Sequence, residues 1–291
     1  MGCGSNASVV VSDTTASVTT TTGSAAPAGR TLRVGLVRGP GGPNARASGN
    51  LAAVGLRRAV GELGIEARTI GARSRAEAVR GVDALAGQGF DLVFGVGGTA
   101  VGAIDHAATM YPKVRFAIVD ASVSTLASRA RNVVGITFRD EQAGYLAGYL
   151  AGLVEGSETG SKNTIGWVAA EGGPSVDRYV AGYITGARAV DPTVTILSDY
   201  SHTLTDPAKC KELALKHLSL GSDIEFEVAG RCGLGVLDSA NERNIWAIAS
   251  GIDESSYGPQ VLTSAVKHVD VAVLATIKSM QDRSLRTGVD T

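Results

Sequence analysis

Few residues of this chain are arranged for bond-making chemistry. The four histidines, His106, His202, His217 and His268, share no metal-ligand spacing with one another or with Cys3, Cys210 and Cys232. The sequence therefore predicts no metal, and no cofactor. Gly95-Val96-Gly97-Gly98-Thr99-Ala100 fits the glycine-rich phosphate loop of dinucleotide binders. It follows the third strand of its series rather than the first, and the acid expected about 20 residues on is met only by Asp120. A dehydrogenase is disfavoured, and without a nucleophile–base pair so is a hydrolase. Cys210 falls in the first turn of a helix and Cys232 just past the following strand, at the same end of the second half of the chain. They read as two separate thiols, with a disulfide as the alternative if their Cα atoms lie within about 7 Å.

Cys3 has another use. It precedes a Ser/Thr/Ala/Gly-rich stretch running to Gly29, too poor in apolar residues to offset the entropy of ordering. A cysteine at the tip of such a tether, ahead of a folded domain, predicts lipid attachment to the extracytoplasmic face of the cell membrane. No charged or apolar leader stands before Cys3, so an export signal is expected to have been removed or to lie upstream. The net charge of −1 offers no basic footprint for nucleic acid, and no apolar run approaches the roughly 18 residues of a membrane span.

The elements that must position any site begin at Thr31. Short β-branched runs such as Leu32–Val37, Leu92–Val96 and Arg115–Val119 alternate with helical patterns, which predicts α/β units with parallel sheets covered on both faces. The series restarts at Val133. The boundaries read as a tether over 1–30, an N-terminal lobe over 31–136, a C-terminal lobe over 137–255 and a return segment over 256–291 that ends before a further crossing strand. Ile224-Glu225-Phe226-Glu227-Val228 is inconsistent with a central parallel strand: either it lies near an edge or its acids find partners.

Four ordered stretches resemble one family. Tyr111–Asp120 resembles the segment YPDVKFAIID, and Glu141–Gly148 resembles the first helix near the hinge. Ala229–Val236 is similar to AGGTGLGV, and Val261–Asp270 to VLTSALKRVD. The family is the basic membrane protein family of lipid-anchored substrate-binding proteins of ABC importers, including purine-nucleoside binders. The resemblance implies a type I periplasmic-binding-protein fold, with two Rossmann-like lobes and a hinge. It implies a small polar solute, nucleoside-like or sugar-like, an importer permease and a lipid-anchored membrane as partners, and no enzyme chemistry. A membrane-tethered sensor of the same fold, or a degenerate member that has lost nucleosides, is the alternative.

Carried over by position, Asp120 and Asp253 fall at carboxylates that accept ribose hydroxyls, Lys267 at a cleft lysine, and Asn44 in the first loop. Gly230 lies in the AGGTGLGV match. Ser48 and Leu204 stand where the family has aromatic residues, and Ala45 where it has an acid. Loss of both rings removes stacking worth about 1–3 kcal/mol per base, which favours a sugar-like or other polar solute over a purine.

Overall fold

The computed structural model describes residues 30–39, 48–157 and 162–291. Cys3, the tether and Asn44 fall outside them. β1 (Arg33–Arg38), β2 (Glu66–Gly71), β3 (Leu92–Val96), β4 (Arg115–Val119) and β5 (Val133–Ile136) form a parallel sheet in the order β2-β1-β3-β4-β5. Its central strands are apolar on both faces because helices cover both. α1 (Ser48–Leu63) packs on one side, and α2 (Arg75–Gly87) and α3 (Gly98–Met110) on the other.

The second sheet repeats the winding with β6 (Thr164–Ala169), β7 (Thr195–Tyr200), β8 (Ile224–Val228), β9 (Trp246–Gly251) and β10 (Val261–Val266), in the order β10-β9-β8-β6-β7. Here α4 (Asp140–Ser157) and α5 (Pro174–Val190) cover one face, and α6 (Pro207–Ser219) and α7 (Leu234–Arg243) the other. The first strand of each sheet, β1 or β6, lies between its second and third. Two parallel lobes are the architecture that the alternating pattern predicts.

The chain crosses between lobes twice, through 137–139 into α4 and through Lys267-His268 into α8 (Val269–Gln281). Val269, Val273 and Ile277 of α8 pack with Ala52, Leu56 and Ala59 of α1 in the first lobe. The return therefore begins after Val266 rather than at 256, because Val261–Val266 is an edge strand of the second sheet, parallel to β9. The tail also departs from expectation. Gly135 donates to the Val289 carbonyl at 3.0 Å, Thr291 donates to Gly135 at 2.7 Å, and Thr137 donates to Thr291 at 3.0 Å. These bonds lay the last residues parallel against β5, and the Asp290 carboxylate accepts from the Val123 N–H at 2.7 Å and the Ser122 hydroxyl at 2.6 Å.

α4 and α5 meet backbone to backbone. A Cβ at Gly144 or Gly148 would strike the carbonyl oxygens of Tyr179 and Tyr183, and one at Gly182 or Gly186 those of Glu141 and Tyr145. Small residues on both helices allow this approach, and Tyr179 and Tyr183 then reach past it to pack on Phe226 of β8.

The acids of β8 find partners, for β8 is central. Glu225 is fully buried, and its Oε2 meets His217 Nδ1 at 3.1 Å, while His217 Nε2 meets Asp199 at 3.0 Å. Gly166, its register partner on β6, leaves the space that its carboxylate fills. Glu227 accepts from the N–H groups of Ala229 at 3.2 Å and Ser250 at 2.7 Å, where the β8–β9 ladder has run out beyond Phe226. Cys210 and Cys232 form a disulfide with Cα atoms 5.4 Å apart, so they are not separate thiols. Closing a loop of 22 residues contributes about 3 kcal/mol in the chain-entropy account.

Two outcomes follow from this packing. Gly148→Leu forces α4 off α5 and is expected to lower unfolding free energy by at least about 1–3 kcal/mol in urea titration. A variant as stable as the parent would show that the close approach is dispensable. The second concerns pH. Burial alone would lower the His217 pKa, but hydrogen bonding and charge from Glu225 and Asp199 outweigh it and raise the value. Burial raises Glu225, against a partial lowering by His217. Both shifts have one sign: the folded state holds protons more tightly than the unfolded chain. His217's contribution is complete below its ordinary value of 6.5 and is lost as pH rises through its folded value. The melting temperature should fall from pH 6.5 upward, and His217→Gln should flatten that fall.

Candidate functional site

In a parallel sheet every strand delivers its C-terminal end to the same edge, and where the strand order reverses the loops part to leave a crevice. Both sheets open into one cleft of about 550 Å³. β1 contributes Arg38 and Gly39, β3 leads to Gly97, Gly98 and Thr99, and β4 ends at Asp120. From the other lobe come the 170–176 loop after β6, Gly230 and Arg231 after β8, and Ser250 and Gly251 at the end of β9. The volume falls within the roughly 300–1,000 Å³ range of small-molecule sites.

At the back of the cleft lies a buried cation. Lys267 is 7% exposed. Its Nζ is 3.0 Å from Asp120 Oδ1, 2.9 Å from Asp140 Oδ1 and 2.8 Å from Ser175 Oγ. The Ser175 hydroxyl in turn donates to Asp140 Oδ2 at 2.6 Å. The ammonium lies 5.1 Å from the Phe138 ring centre and 5.3 Å from that of Tyr179, both within cation–π reach. Burial, together with the charges of Asp140 and Asp120, pushes the Tyr179 phenol pKa well up, so it stays neutral.

Each member comes from a different part of the fold. Asp120 ends β4 in the first lobe and Asp140 starts α4 just after the first crossing. Ser175 lies in the first turn of α5, and Lys267 lies just past β10 at the second crossing. Asp120 holds a left-handed backbone, φ 63°, while its N–H donates to the Ile136 carbonyl at 2.9 Å. Aspartate tolerates that region better than most residues, and the geometry turns its carboxylate to Lys267.

Of the residues singled out from sequence, Ser48, Asp120, Leu204, Gly230 and Lys267 line this cleft together. Gly230 holds φ 59°, and a Cβ there would sit 3.3 Å from Leu204 Cδ2. Asp253 is not among them. It is exposed on the loop beyond β9, where its Oδ1 accepts from the Ser255 N–H at 2.9 Å, which lowers its pKa. β9 brings Ser250 and Gly251 to the cleft instead. Asn44 is outside the described residues. Asp140 and Ser175 were missed from sequence. Their only signal was a polar residue at the start of a helix directly after a crossing or a strand, which reads equally well as a cap.

Tyr179 is the one aromatic residue among the described cleft-lining residues, and it is 4% exposed. No open ring face is offered there for base stacking. A second hollow of about 580 Å³ lies against Tyr145, Leu146, Ala181 and Gly182. Its walls are the flanks of α4 and α5 rather than converging loop ends.

Residues 44–291 match the profile of the Bmp family, described as ABC transporter substrate-binding protein PnrA-like. A CD4+ T-cell-stimulating antigen of Listeria monocytogenes is 30% identical over 201 residues, 63% of this chain and 54% of that protein. The ABC transporter nucleoside-binding protein BmpA of Lactococcus lactis is 28% identical over 204 residues, 64% of this chain and 56% of its own. Relatives from three Pyrococcus species are called lipoproteins. The alignments span little more than half the length of the first of these curated relatives. A crystal structure of an ABC transporter system solute-binding protein from Aeropyrum pernix K1 superposes with a TM-score of 0.82 at 26% identity, covering 89% of this chain and 74% of that one. The two lobes thus have the type I periplasmic-binding-protein fold, and the chain belongs to the Bmp family of ABC transporter substrate-binding proteins.

Proposed function

We propose that this protein captures a small polar solute between its lobes and presents it to an ABC importer permease. The lobes close about the two crossings, and Cys3 carries the lipid that holds the protein at the extracytoplasmic face of the membrane. No bond of the solute is made or broken. The observation that carries the reading is the single cleft lined by strand ends of both lobes, with a charged cluster linking the lobes at its back. Hinge closure around a ligand needs this geometry. Ser48, Asp120, Leu204, Gly230 and Lys267 are the proposed contact residues, and Asp120 is the acceptor for solute hydroxyls, which an ionised carboxylate takes through its free lone pairs. The shortage of open aromatic faces favours a hydroxylated, sugar-like solute over one held by its base.

Native mass spectrometry of freshly purified protein, followed by a thermal-shift screen of nucleosides and sugars, tests this reading. A ligand should raise the melting temperature, and Asp120→Asn should remove the rise while leaving a folded protein. A screen without any shift and a protein that carries no co-purified solute would overturn it.

The cluster predicts a stability effect of its own. Lys267→Met takes the near cation from half-buried Asp120 and from buried Asp140, which then keeps only Arg178 at 3.7 Å, and should cost up to about 3–5 kcal/mol in urea unfolding. Adding Asp120→Asn to that variant removes one uncompensated charge and should recover part of the loss. If the double variant is as unstable as the single, the charges are not the cause.

A further inference from the structure

The cleft is more cationic than the molecule around it. Its described lining holds four cations, Arg38, Arg75, Arg231 and Lys267, against two acids, Asp120 and Glu171. Lys267 is spent on Asp120 and Asp140 within the buried cluster. Three arginines then face one remaining acid, in a chain whose net charge is −1.

None of the three guanidinium groups forms an ion pair with a carboxylate among the described residues. Arg38 donates through Nη1 to the neutral Asn50 amide oxygen, and Arg75 and Arg231 are exposed at the cleft. Their placement runs against local stability. Arg75 is the first residue of α2, and Arg231 stands just ahead of α7, where the positive end of a helix repels a cation. The first turns of α1, α3 and α7 hold no acid, and α3, α5 and α7 start without a side-chain cap. Gly98 and Thr99 of α3 and Ser175 of α5 line the same cleft. A site built this way repels cations and favours a group that brings negative charge and several acceptor oxygens.

We propose that the solute taken by this cleft carries an oxyanion, a phosphate or carboxylate, which the Arg38, Arg75 and Arg231 side chains bind. This deepens the solute-binding reading and rests on it. Guanidinium suits the role because its planar fork meets two oxygens of one oxyanion at once. A free nucleoside or neutral sugar would leave the arginines without a counter-charge.

Matched pairs test the proposal by calorimetry on the full chain: AMP against adenosine, ribose 5-phosphate against ribose, and glucuronate against glucose. The phosphate pairs and the carboxylate pair separate the two sources of the charge. In at least one pair the anionic member should bind roughly tenfold tighter or more, the scale of one charge-assisted contact. That preference should shrink at high salt. Arg75→Gln with Arg231→Gln should abolish it, and because both exposed cations sit unfavourably at helix N-termini the unliganded melting temperature should equal or slightly exceed that of the parent. Equal or tighter binding of the neutral members would overturn the proposal and leave the solute-binding reading intact. So would a preference that survives the double substitution. If no anionic member binds while the nucleoside and sugar screen yields a ligand, the proposal alone falls; if the screen also yields nothing, both fall.

Discussion

The ammonium of Lys267 is the group on which the arrangement of the two lobes turns. A buried cation must be paired, and here its partners are drawn from three separate stretches of chain: the end of β4, the start of α4 and the first turn of α5. Those stretches lie on both sides of the cleft, the start of α4 at the first crossing, while the lysine itself lies at the second. One side chain therefore couples the first lobe to the second at the point where any closing motion would pivot. The same contact occupies Asp120, so a solute hydroxyl that reaches this carboxylate must share it with the lysine. The Phe138 and Tyr179 rings, within cation–π distance, keep the cluster partly dry and strengthen it.

Around that point the frame of the second lobe is made stiff by two devices that look like defects in isolation. Glycines in the interiors of α4 and α5 weaken each helix taken alone. Together they bring the two backbones into contact and let Tyr179 and Tyr183 reach the core over Phe226. Buried acids in a central strand are costly unless satisfied. Glu225 is satisfied by His217, and Glu227 by two backbone N–H groups that replace a ladder which stops short. Because Glu227 ties the ends of β8 and β9, Ser250 at the end of β9 and the turn bearing Gly230 leave the sheet at fixed positions. Gly166 and Gly233 are the complements of these acids, since a Cβ at either would collide with a carboxylate.

The described lining of the cleft departs from the family pattern at the two positions that its sequence already marks. Ring positions are held by Ser48 and Leu204, and Tyr179, the one aromatic among the described lining residues, lies against Lys267. The described lining sets guanidinium groups and small polar side chains among the apolar side chains of Leu51, Val96, Val176, Leu204 and Val228. Such a lining offers hydrogen bonds, charge and aliphatic contacts, and no open ring face among the described residues. Asp253 illustrates how position can mislead. It matches the family at the level of local sequence, yet it lies past β9 on an exposed loop, outside the described cleft lining.

Much was legible in the chain itself. The alternation of β-branched runs with helical patterns determined two parallel α/β lobes, because a strand covered on both faces must be apolar on both faces. Four ordered motifs determined the family, and the strand-end positions of Asp120 and Gly230 followed from strands that could be read directly. Local pattern could not say which sheet Val261–Val266 would join, nor that the tail would pair with β5. Strand partners are chosen by tertiary contacts, the tail reaching β5 across 155 residues of sequence from Gly135 to Asp290. For the same reason Asp140 and Ser175 looked like helix caps, Cys210 and Cys232 like separate thiols, and Glu225 like an inconsistency. Each takes its meaning from a distant partner, and only the tertiary fold brings a lysine, a histidine or a second cysteine within bonding distance.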